Sequence, residues 1–389
     1  MTKKLFWENS YKTEFEAKII ELTKEGVVLN QTLFYPKSGG QVSDHGFLKA
    51  GDTIFEVDYT IKKEDEIIHH IKSDFKEELK IGKIVKGKID WEYRYGIMKA
   101  HTSQHLFSAL ILNKYNIETS KVYIDFEEVV LELAQNMDYT QLKSVFNEVN
   151  SICISDNQKI EVKTMNYEEA KKCSNEIRGF VPEHSKIRLV QIESNDLVCC
   201  GGTHVHNSIE IGPLLIDSFK KNREIRYYLG KKAVNMLSDI NIDLLISAEL
   251  LNQPTLKLKQ ATEKNLNLIS NLQQENKNLI IRTLNLISQI PTTSINNISI
   301  YIIDMNIENK ILTKEFKNFP SNSLLIANLS NNKFRVFSKC KDVKANEIVQ
   351  YLIEKFGGKG GGSDNSAQCS IDYESMDILN EIRIVLNRK

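Results

Sequence analysis

Four residues that could bind a metal ion stand out, arranged as two pairs far apart in the sequence. His101 and His105 belong to the run His-Thr-Ser-Gln-His, and Cys200 and His204 belong to the run Cys-Gly-Gly-Thr-His. Side chains four residues apart on a helix are neighbours, with Cβ atoms about 5–6 Å apart. The two glycines allow a tight turn, which can direct the thiol and the second imidazole toward one point. Three imidazoles and a thiolate form a donor set that suits Zn²⁺.

The spacing by itself leaves two interpretations open, a metal site or ordinary packing. Histidines at helical spacing often cap or pack, and a single short motif carries a risk of false positives. Thr102 follows His101, so the first pair lacks the glutamate of the H-E-x-x-H metalloprotease pattern. The presence of both pairs in one chain favours the metal site over either pair alone.

The two pairs lie in the longer stretches MKAHTSQHLFSALI and LVCCGGTHVHNSIEIG. Two further stretches stand out, LNQTLFYPKSGGQVSDHG upstream of the first pair and FGGKGGGSDNSAQ near the C-terminus. The first three resemble the editing domain of alanyl-tRNA synthetase and its free-standing relatives, the alanyl-tRNA editing proteins. The fourth resembles the domain that ends alanyl-tRNA synthetase. The resemblance implies that His101, His105, Cys200 and His204 bind one zinc ion per chain.

The resemblance also implies an activity, a partner and two further site residues. The activity is hydrolysis of the ester that joins a wrong amino acid to alanine tRNA, with seryl-tRNA and glycyl-tRNA as the implied substrates. Thr32 and Gln41 match positions associated with the editing pocket, and the hydroxyl of Thr32 is a candidate for reading a serine side chain. A site that hydrogen-bonds this hydroxyl leaves its partner unpaired with alanine, which permits strong discrimination.

Two rival functions fit the same residues. Four protein ligands are typical of a closed, structural zinc site, whereas a catalytic zinc needs an open position. The chain could therefore be a non-catalytic tRNA-binding module, or a zinc hydrolase that acts on a small ester. No carboxylate next to the ligands presents itself as a general base, which favours zinc that positions substrate over zinc that takes part in base chemistry.

The composition excludes several other classes. Lys and Arg number 51, as do Asp and Glu, so attraction to RNA must come from local patches in the 389-residue chain. The six cysteines show no even framework, and together with the lack of a signal peptide they favour the cytoplasm. No apolar run approaches the length of a membrane span, so no membrane partner is expected.

The pattern of apolar residues predicts an α+β protein in four parts. Residues 1–90 are β-rich and predict a small barrel-like domain, followed by an α+β zinc-containing editing domain at 91–237. A helical arm at 238–290 and a C-terminal α/β domain at 291–389 complete the prediction. Within these parts, Lys121–Leu133 alternates like one strand and 209–211 reads as another.

Several other residues can be interpreted either as ordinary structural residues or as functional ones. We interpret Cys199 as a small buried side chain. His206 is interpreted as a solvated residue or as an outer neighbour of the ligands. The other histidines are interpreted as surface residues: His45, His69, His70 and His184. A basic cluster is either a solvated edge or a phosphate contact: Lys220, Lys221, Arg223, Arg226, Lys231 and Lys232.

Two features of the C-terminal half have similar alternatives. One helix contains a partial heptad of leucines, Leu258, Leu272, Leu279 and Leu286. This helix could be an arm that spaces two domains, the seam of a homodimer or a core helix of the last domain. The C-terminal domain is a second candidate for the dimer contact. The GGKGGG run is either a flexible loop or a nest of backbone N–H groups that contacts RNA phosphate.

Overall fold

The computed structural model describes residues 1–72, 77–183, 186–329, 333–371 and 377–387. It divides into two compact units, Met1–Ile246 and Ser247–Lys389. Both combine strands and helices, so the predicted α+β class is confirmed. The finer boundaries at residues 90, 237 and 290 stay predictions. Among the described residues, no helix has the length and apolar character needed to cross a membrane.

The first unit begins with a closed barrel of six strands, in the order β2-β3-β7-β6-β5-β8. Buried and exposed residues alternate along several of these strands, which places one side chain in two inside the barrel. Leu29, Leu33, Leu48 and Val57 are among the fully buried residues of this core. A short pair, β1 with β4, lies outside the barrel. The strands are β1 Lys3–Lys4, β2 Glu14–Leu22, β3 Gly26–Leu29, β4 Gln31–Thr32, β5 Gly46–Ala50, β6 Thr53–Lys63, β7 Glu66–Ile71 and β8 Ile84–Ile89.

The glycine-rich segment between β4 and β5 leaves the barrel and packs against the next sheet. Gly40 has a φ of +84°, and a Cβ there would lie 2.6 Å from the Val122 side chain. Its carbonyl accepts from Ile124 N, while Val42 N donates to Ile124 O. Glycine is therefore required at this position for both the backbone conformation and the close approach.

The rest of the first unit packs a long helix, α1, against two small antiparallel sheets, ordered β14-β15-β10-β9 and β11-β12-β13. The helices are α1 Trp91–Tyr115, α2 Tyr139–Ser151 and α3 Tyr167–Lys172. The strands are β9 Thr119–Asp125, β10 Glu128–Leu133, β11 Ile160–Met165, β12 Ile187–Ile192, β13 Asp196–Cys199, β14 Leu214–Lys220 and β15 Glu224–Leu229.

Two local predictions in this region are wrong. The stretch read as a single strand, Lys121–Leu133, belongs to the hairpin β9–β10, because Glu127 turns the chain with a φ of +50°. The stretch at 209–211 is not a strand, since Ser208–Glu210 form a 3-10 turn. Glu210 accepts from the backbone N–H groups of His206 and Asn207, and these local bonds favour the turn.

Two helices follow the sheets, as the sequence predicts, with the break at Pro254: α4 Gly230–Leu250 and α5 Leu258–Ile287. Leu284 of α5 is buried in a core with Tyr301 and Leu312, so the core-helix interpretation holds for the last turns. Leu272, Leu279 and Leu286 are more than half exposed in this chain.

The second unit is built on a six-stranded sheet, ordered β16-β17-β18-β19-β21-β20. The interpretation of GGKGGG as a flexible loop is wrong, because β20 is an edge strand paired with β21. A Cβ on Gly360 would lie 2.3 Å from Gln368 O, so the close pairing needs glycine. The elements are β16 Thr293–Ile295, β17 Ile298–Asp304, β18 Ser323–Asn328, β19 Lys333–Ser338, β20 Lys359–Gly362, β21 Ser366–Ser370, α6 Asn309–Glu315, α7 Ala345–Phe356 and α8 Ile378–Asn387.

Candidate metal centre

Helix α1 holds the first predicted ligand pair. Asp90 caps its N-terminus by accepting from Tyr93 N, and Asn116 ends it in the left-handed conformation. Most of the helix is buried from Gly96 to Ile111, so its position is determined by packing on several sides. His101 and His105 are 3% and 4% exposed and lie one turn apart.

A short loop after β13 holds the second pair. Trp7 Nε1 donates to Gly201 O at 2.8 Å, and Arg188 Nη1 donates to Cys200 O at 2.7 Å. Gly202 leaves no room for a side chain, because a Cβ there would lie 2.2 Å from His101 Cε1. The loop is therefore held from both sides and packed directly against the first pair.

The two pairs meet at one point. The potential ligand atoms of His101, His105, Cys200 and His204 all lie within 4.8 Å of one another. Cys200 Sγ lies 3.5 Å from His101 Nε2 and 3.4 Å from His204 Nε2. In a tetrahedral zinc site with ordinary bond lengths, the S···N separation is about 3.6 Å. The cluster therefore has the donor atoms and the dimensions to hold a metal ion.

Each of the three histidines has a polar neighbour beside its Nδ1 atom, which for His105 lies at ion-pair distance and outside hydrogen-bond geometry. His101 Nδ1 lies 2.6 Å from Gln41 Oε1, and His204 Nδ1 lies 3.2 Å from Thr102 Oγ1. His105 Nδ1 lies 3.4 Å from Asp196 Oδ2. Such partners fix the tautomer and the orientation of metal-binding imidazoles. They leave the Nε2 atoms of all three rings available on the side of Cys200.

Asp196 adjoins the predicted ligand His105, a contact that the sequence analysis missed, and the expectation that no adjacent carboxylate serves as a general base stays a prediction. Its side chain is 1% exposed, and Arg178 donates to its two oxygens at 2.7 and 2.8 Å. Its position at the start of β13, four residues before Cys200, was the available signal. Because both oxygens already have cationic or imidazole partners, Asp196 is suited to positioning His105 and not to acting as a base.

The charges of the cluster suit a divalent cation. Burial opposes ionisation of Cys200, but His101, His105 and His204 outweigh it and hold the pKa of the thiol well below its usual range. Burial also lowers the pKa of His105, but the Cys200 thiolate and Asp196 outweigh it and raise the pKa to about 9. Burial and the neighbouring His101 lower the pKa of His204 to about 3. A bound cation would therefore meet a thiol whose neighbours already favour its ionised form.

The structure separates the two other predicted site residues. Gln41 is fully buried beside the cluster, where its Nε2 also donates to Thr203 Oγ1 at 3.1 Å. Thr32 is fully buried too, but its Oγ1 lies 2.7 Å from His69 Nε2 and accepts from Phe34 N. Gln41 therefore touches a predicted ligand, whereas Thr32 contacts none of the four.

The remaining histidines and Cys199 have other surroundings. The surface interpretation of His69 is wrong, because its ring is fully buried against Phe34, where Val27 O accepts from Nδ1 at 3.2 Å. His206 is exposed and stacks on Tyr11 with ring centroids 4.1 Å apart. His45 and His70 are half-buried, as is Cys199, and His184 lies outside the described residues.

A cavity of about 340 Å³ opens beside the cluster. His101, His105 and Cys200 contribute to its wall, together with the cationic side chains of Arg178 and Lys121. None of the described residues along its wall carries a carboxylate. The remaining wall is polar or small: Tyr35, Ser38, Gly39, Gln104, Thr119, Ser120, Val122, Val198, Cys199, Gly201 and Gly202. Each cation is paired with a carboxylate outside the wall, Arg178 with Asp196 at 2.7 Å and Lys121 with Glu132 at 3.2 Å. The wall itself therefore favours a ligand whose outer part is polar and not strongly cationic.

Part of the predicted basic cluster is already neutralised. Arg226 and Lys232 both pair with Glu128, at 2.7 and 2.6 Å. Lys220 pairs with Glu224 at 3.8 Å. Lys221 and Lys231 are exposed. The predicted basic cluster is therefore a surface with charges of both signs. Lys221 and Lys231 are its better candidates for contact with phosphate.

Comparison with known proteins gives a consistent result. A family model described as tRNA synthetases class II (A) matches residues 3–93. The alanyl-tRNA editing protein AlaX-L of Pyrococcus horikoshii is 29% identical over 97% of this chain and 97% of its own length. The alanine–tRNA ligase of Sulfurisphaera tokodaii is 30% identical over 99% of this chain, which spans 44% of that enzyme.

The C-Ala domain of Aquifex aeolicus alanyl-tRNA synthetase is among the solved structures that match. The match covers 24% of this chain and 94% of that domain, with 13% identity and a TM-score of 0.20. The predicted resemblance to the alanyl-tRNA editing proteins is confirmed in sequence along nearly the whole chain.

Proposed function

We propose that this chain, with its end-to-end similarity to an alanyl-tRNA editing protein, is a zinc-dependent hydrolase that deacylates mischarged alanine tRNA. The reaction is hydrolysis of the ester between a wrong amino acid and the terminal ribose, with seryl-tRNA as the main substrate and glycyl-tRNA as a second. The proposed setting is the cytoplasm, and the proposed cofactor is one zinc ion per chain.

One observation carries this proposal: three buried imidazoles and the half-buried thiol of Cys200 converge beside a cavity whose described wall residues include no carboxylate. Three imidazole nitrogens and one thiolate favour zinc over the hard cations, which prefer oxygen ligands. Of the two cations in the wall, Arg178 is paired with the buried Asp196, whereas the pair of Lys121 with Glu132 is exposed, so Lys121 is the better candidate for contact with a tRNA phosphate.

The residues around the cluster have distinct proposed tasks. When bound, zinc would polarise the ester carbonyl or orient the substrate. Gln41 holds the ring of His101, and Asp196 holds the ring of His105, which keeps the Nε2 atoms converged. The buried loop at Cys200 keeps one wall of the cavity rigid. A role for Thr32 in reading a serine side chain stays a prediction.

The test is deacylation of seryl-, glycyl- and alanyl-tRNA side by side, with and without a chelator. We expect seryl-tRNA to be hydrolysed, alanyl-tRNA to be spared, and the activity to disappear with the metal. His101→Ala should lose the activity, whereas His206→Ala, an exposed histidine outside the cluster, should keep it. Undiminished hydrolysis by metal-free protein would rule out the proposal.

A second candidate function is supported by the four-ligand set, which is typical of structural zinc. In that case the chain is a tRNA-binding module that does not turn over the ester. Tight binding of charged tRNA with no release of amino acid would favour this alternative. Equal activity on a free amino-acid ester and on charged tRNA would instead favour a hydrolase of small esters.

A further inference from the structure

Gln104 has a place in the cavity that neither the ligands nor their outer partners explain. It lies three residues after His101 and one before His105 on α1, and residues three apart on a helix share a face. Its side chain is 6% exposed, and this small exposed part contributes to the cavity wall beside the two ligands. A polar side chain is therefore presented to any group bound next to the metal site.

The amide of Gln104 is anchored at one end only. Its Nε2 donates to Ser108 Oγ at 2.9 Å, and Ser108 Oγ also accepts from Thr119 Oγ1 at 2.9 Å. Thr119 is itself part of the cavity wall, so the chain of three side chains runs along one side of the cavity. With the nitrogen bound to Ser108, the carbonyl oxygen is the end of the amide left for a ligand.

We propose that Gln104 is the specificity-determining residue of the hydrolase, and that its side-chain carbonyl accepts a hydrogen bond from the hydroxyl of a seryl group. This inference rests on the proposed function and names the residue that selects its substrate. A neutral amide oxygen suits a neutral donor. The ammonium group of the substrate is a poorer occupant, because the described wall residues include no carboxylate. The nearby carboxylates of Asp196 and Glu132 are already paired with Arg178 and Lys121.

The same contact explains rejection of the correct product. An alanyl group places a methyl where the seryl group has its hydroxyl, so the buried carbonyl of Gln104 would lose water without gaining a donor. Leaving a buried acceptor unpaired costs more than a hydrogen bond gains on average. Sites built in this way discriminate against an analogue that lacks the hydroxyl more strongly than apolar pockets discriminate by size.

Thr32, the residue that the sequence favours for this role, has its hydroxyl committed elsewhere. Val27 O accepts from His69 Nδ1, so the neutral ring carries its proton there and its Nε2 is an acceptor. The hydroxyl of Thr32 must then donate to His69 Nε2, while its oxygen accepts from Phe34 N. Thr32 has no proton left with which to bind a serine oxygen.

The test compares Gln104→Met, which keeps the size of the side chain and removes the acceptor, with the wild type on seryl-, glycyl- and alanyl-tRNA. We expect the ratio of kcat/KM for seryl-tRNA over glycyl-tRNA to fall about tenfold, the value of one hydrogen bond. Gln135→Met, at an exposed glutamine of the same unit, is the matched control and should keep the wild-type ratio. Metal content is measured in parallel.

A second variant and a binding measurement keep the test decisive if Gln104→Met loses its metal. Ser108→Ala removes the anchor of the amide and should lower the same ratio by a smaller factor. Adenosine with an amide-linked seryl group should bind the wild type more tightly than its alanyl counterpart, and Gln104→Met should remove this preference.

The outcomes separate the inference from the proposed function. Equal losses on seryl-tRNA and glycyl-tRNA would mean that Gln104 holds a group common to both aminoacyl esters, and the inference would fall while the hydrolase stands. A changed ratio in Thr32→Val, with none in Gln104→Met or Ser108→Ala, would assign the selection to Thr32 instead. A wild type inactive on every ester would overturn both.

Discussion

Asp196 Oδ2 lies 3.4 Å from His105 Nδ1, and both side chains are almost completely buried. Asp196 in turn accepts from Arg178, whose side chain is 22% exposed and forms part of the cavity wall. One carboxylate thus joins a predicted zinc ligand to a cation at the proposed substrate site. Carboxylates in this arrangement orient the imidazole and increase its basicity toward the metal.

We expect Asp196→Asn to weaken zinc binding about 10- to 100-fold, because the neutral amide holds the His105 ring less strongly. Competition with a chromogenic chelator measures the affinity directly. Asp217→Asn, at an exposed carboxylate of the same unit, changes the net charge equally and should bind zinc as the wild type does. Equal affinities for all three proteins would show that Asp196 does not support the metal site.

Gly202 and Gly201 form a natural matched pair. The methyl of Gly202→Ala would lie 2.2 Å from His101 Cε1 and 2.4 Å from His101 Nδ1, whereas that of Gly201→Ala meets only Trp7 at 3.8 Å. We expect Gly202→Ala to displace the His101 ring and to lower zinc affinity at least about tenfold. Gly201→Ala should keep nearly all of it. Full zinc content in Gly202→Ala would contradict the packing described for this loop.

The buried His69 should make the first unit sensitive to acid. Burial lowers the pKa of its imidazole to about 4, whereas an unperturbed histidine titrates near 6.5. The unfolded chain therefore binds a proton that the folded state excludes, so this contribution is complete above pH 6.5 and is lost as the pH falls toward 4. The expected loss between about pH 7 and about pH 5 is about 2 kcal/mol of unfolding free energy.

Urea unfolding followed by tryptophan fluorescence measures this loss, since Trp7 and Trp91 both lie in the first unit. His69→Gln should show a smaller difference between the two pH values than the wild type. His206→Gln, at an exposed histidine, should keep the wild-type difference. An undiminished difference in His69→Gln would assign the acid sensitivity to other groups.

The leucine row of α5 tests the predicted homodimer. Leu272 and Leu279 are 53% and 54% exposed, although their seven-residue spacing is typical of a helix seam. If the row is such a seam, Leu272→Asp with Leu279→Asp should convert a dimer to a monomer in sedimentation experiments. Leu266→Asp, at an exposed leucine off the row, is the control and should leave the mass unchanged. A monomeric wild type would show that the leucine row is not a dimer seam.

The candidate metal ligands could be predicted from the sequence because each pair is a local pattern. A helix places residues 101 and 105 on one face whatever surrounds it, and a Gly-Gly turn lets Cys200 and His204 converge. The β-rich start, the helix break at Pro254 and most strands were likewise readable from apolar periodicity. These features depend on neighbours within a few residues.

The surroundings of the metal centre were decided by tertiary structure. Gln41 meets His101 across 60 residues of sequence, and Asp196 reaches His105 of helix α1 from strand β13, so no local pattern could pair them. Thr32 and His69 illustrate the same limit: barrel closure buries a histidine that looked exposed and commits the hydroxyl of the predicted serine reader. Side-chain chemistry determined which residues can bind zinc, whereas long-range packing decided which polar groups orient them and which face the cavity.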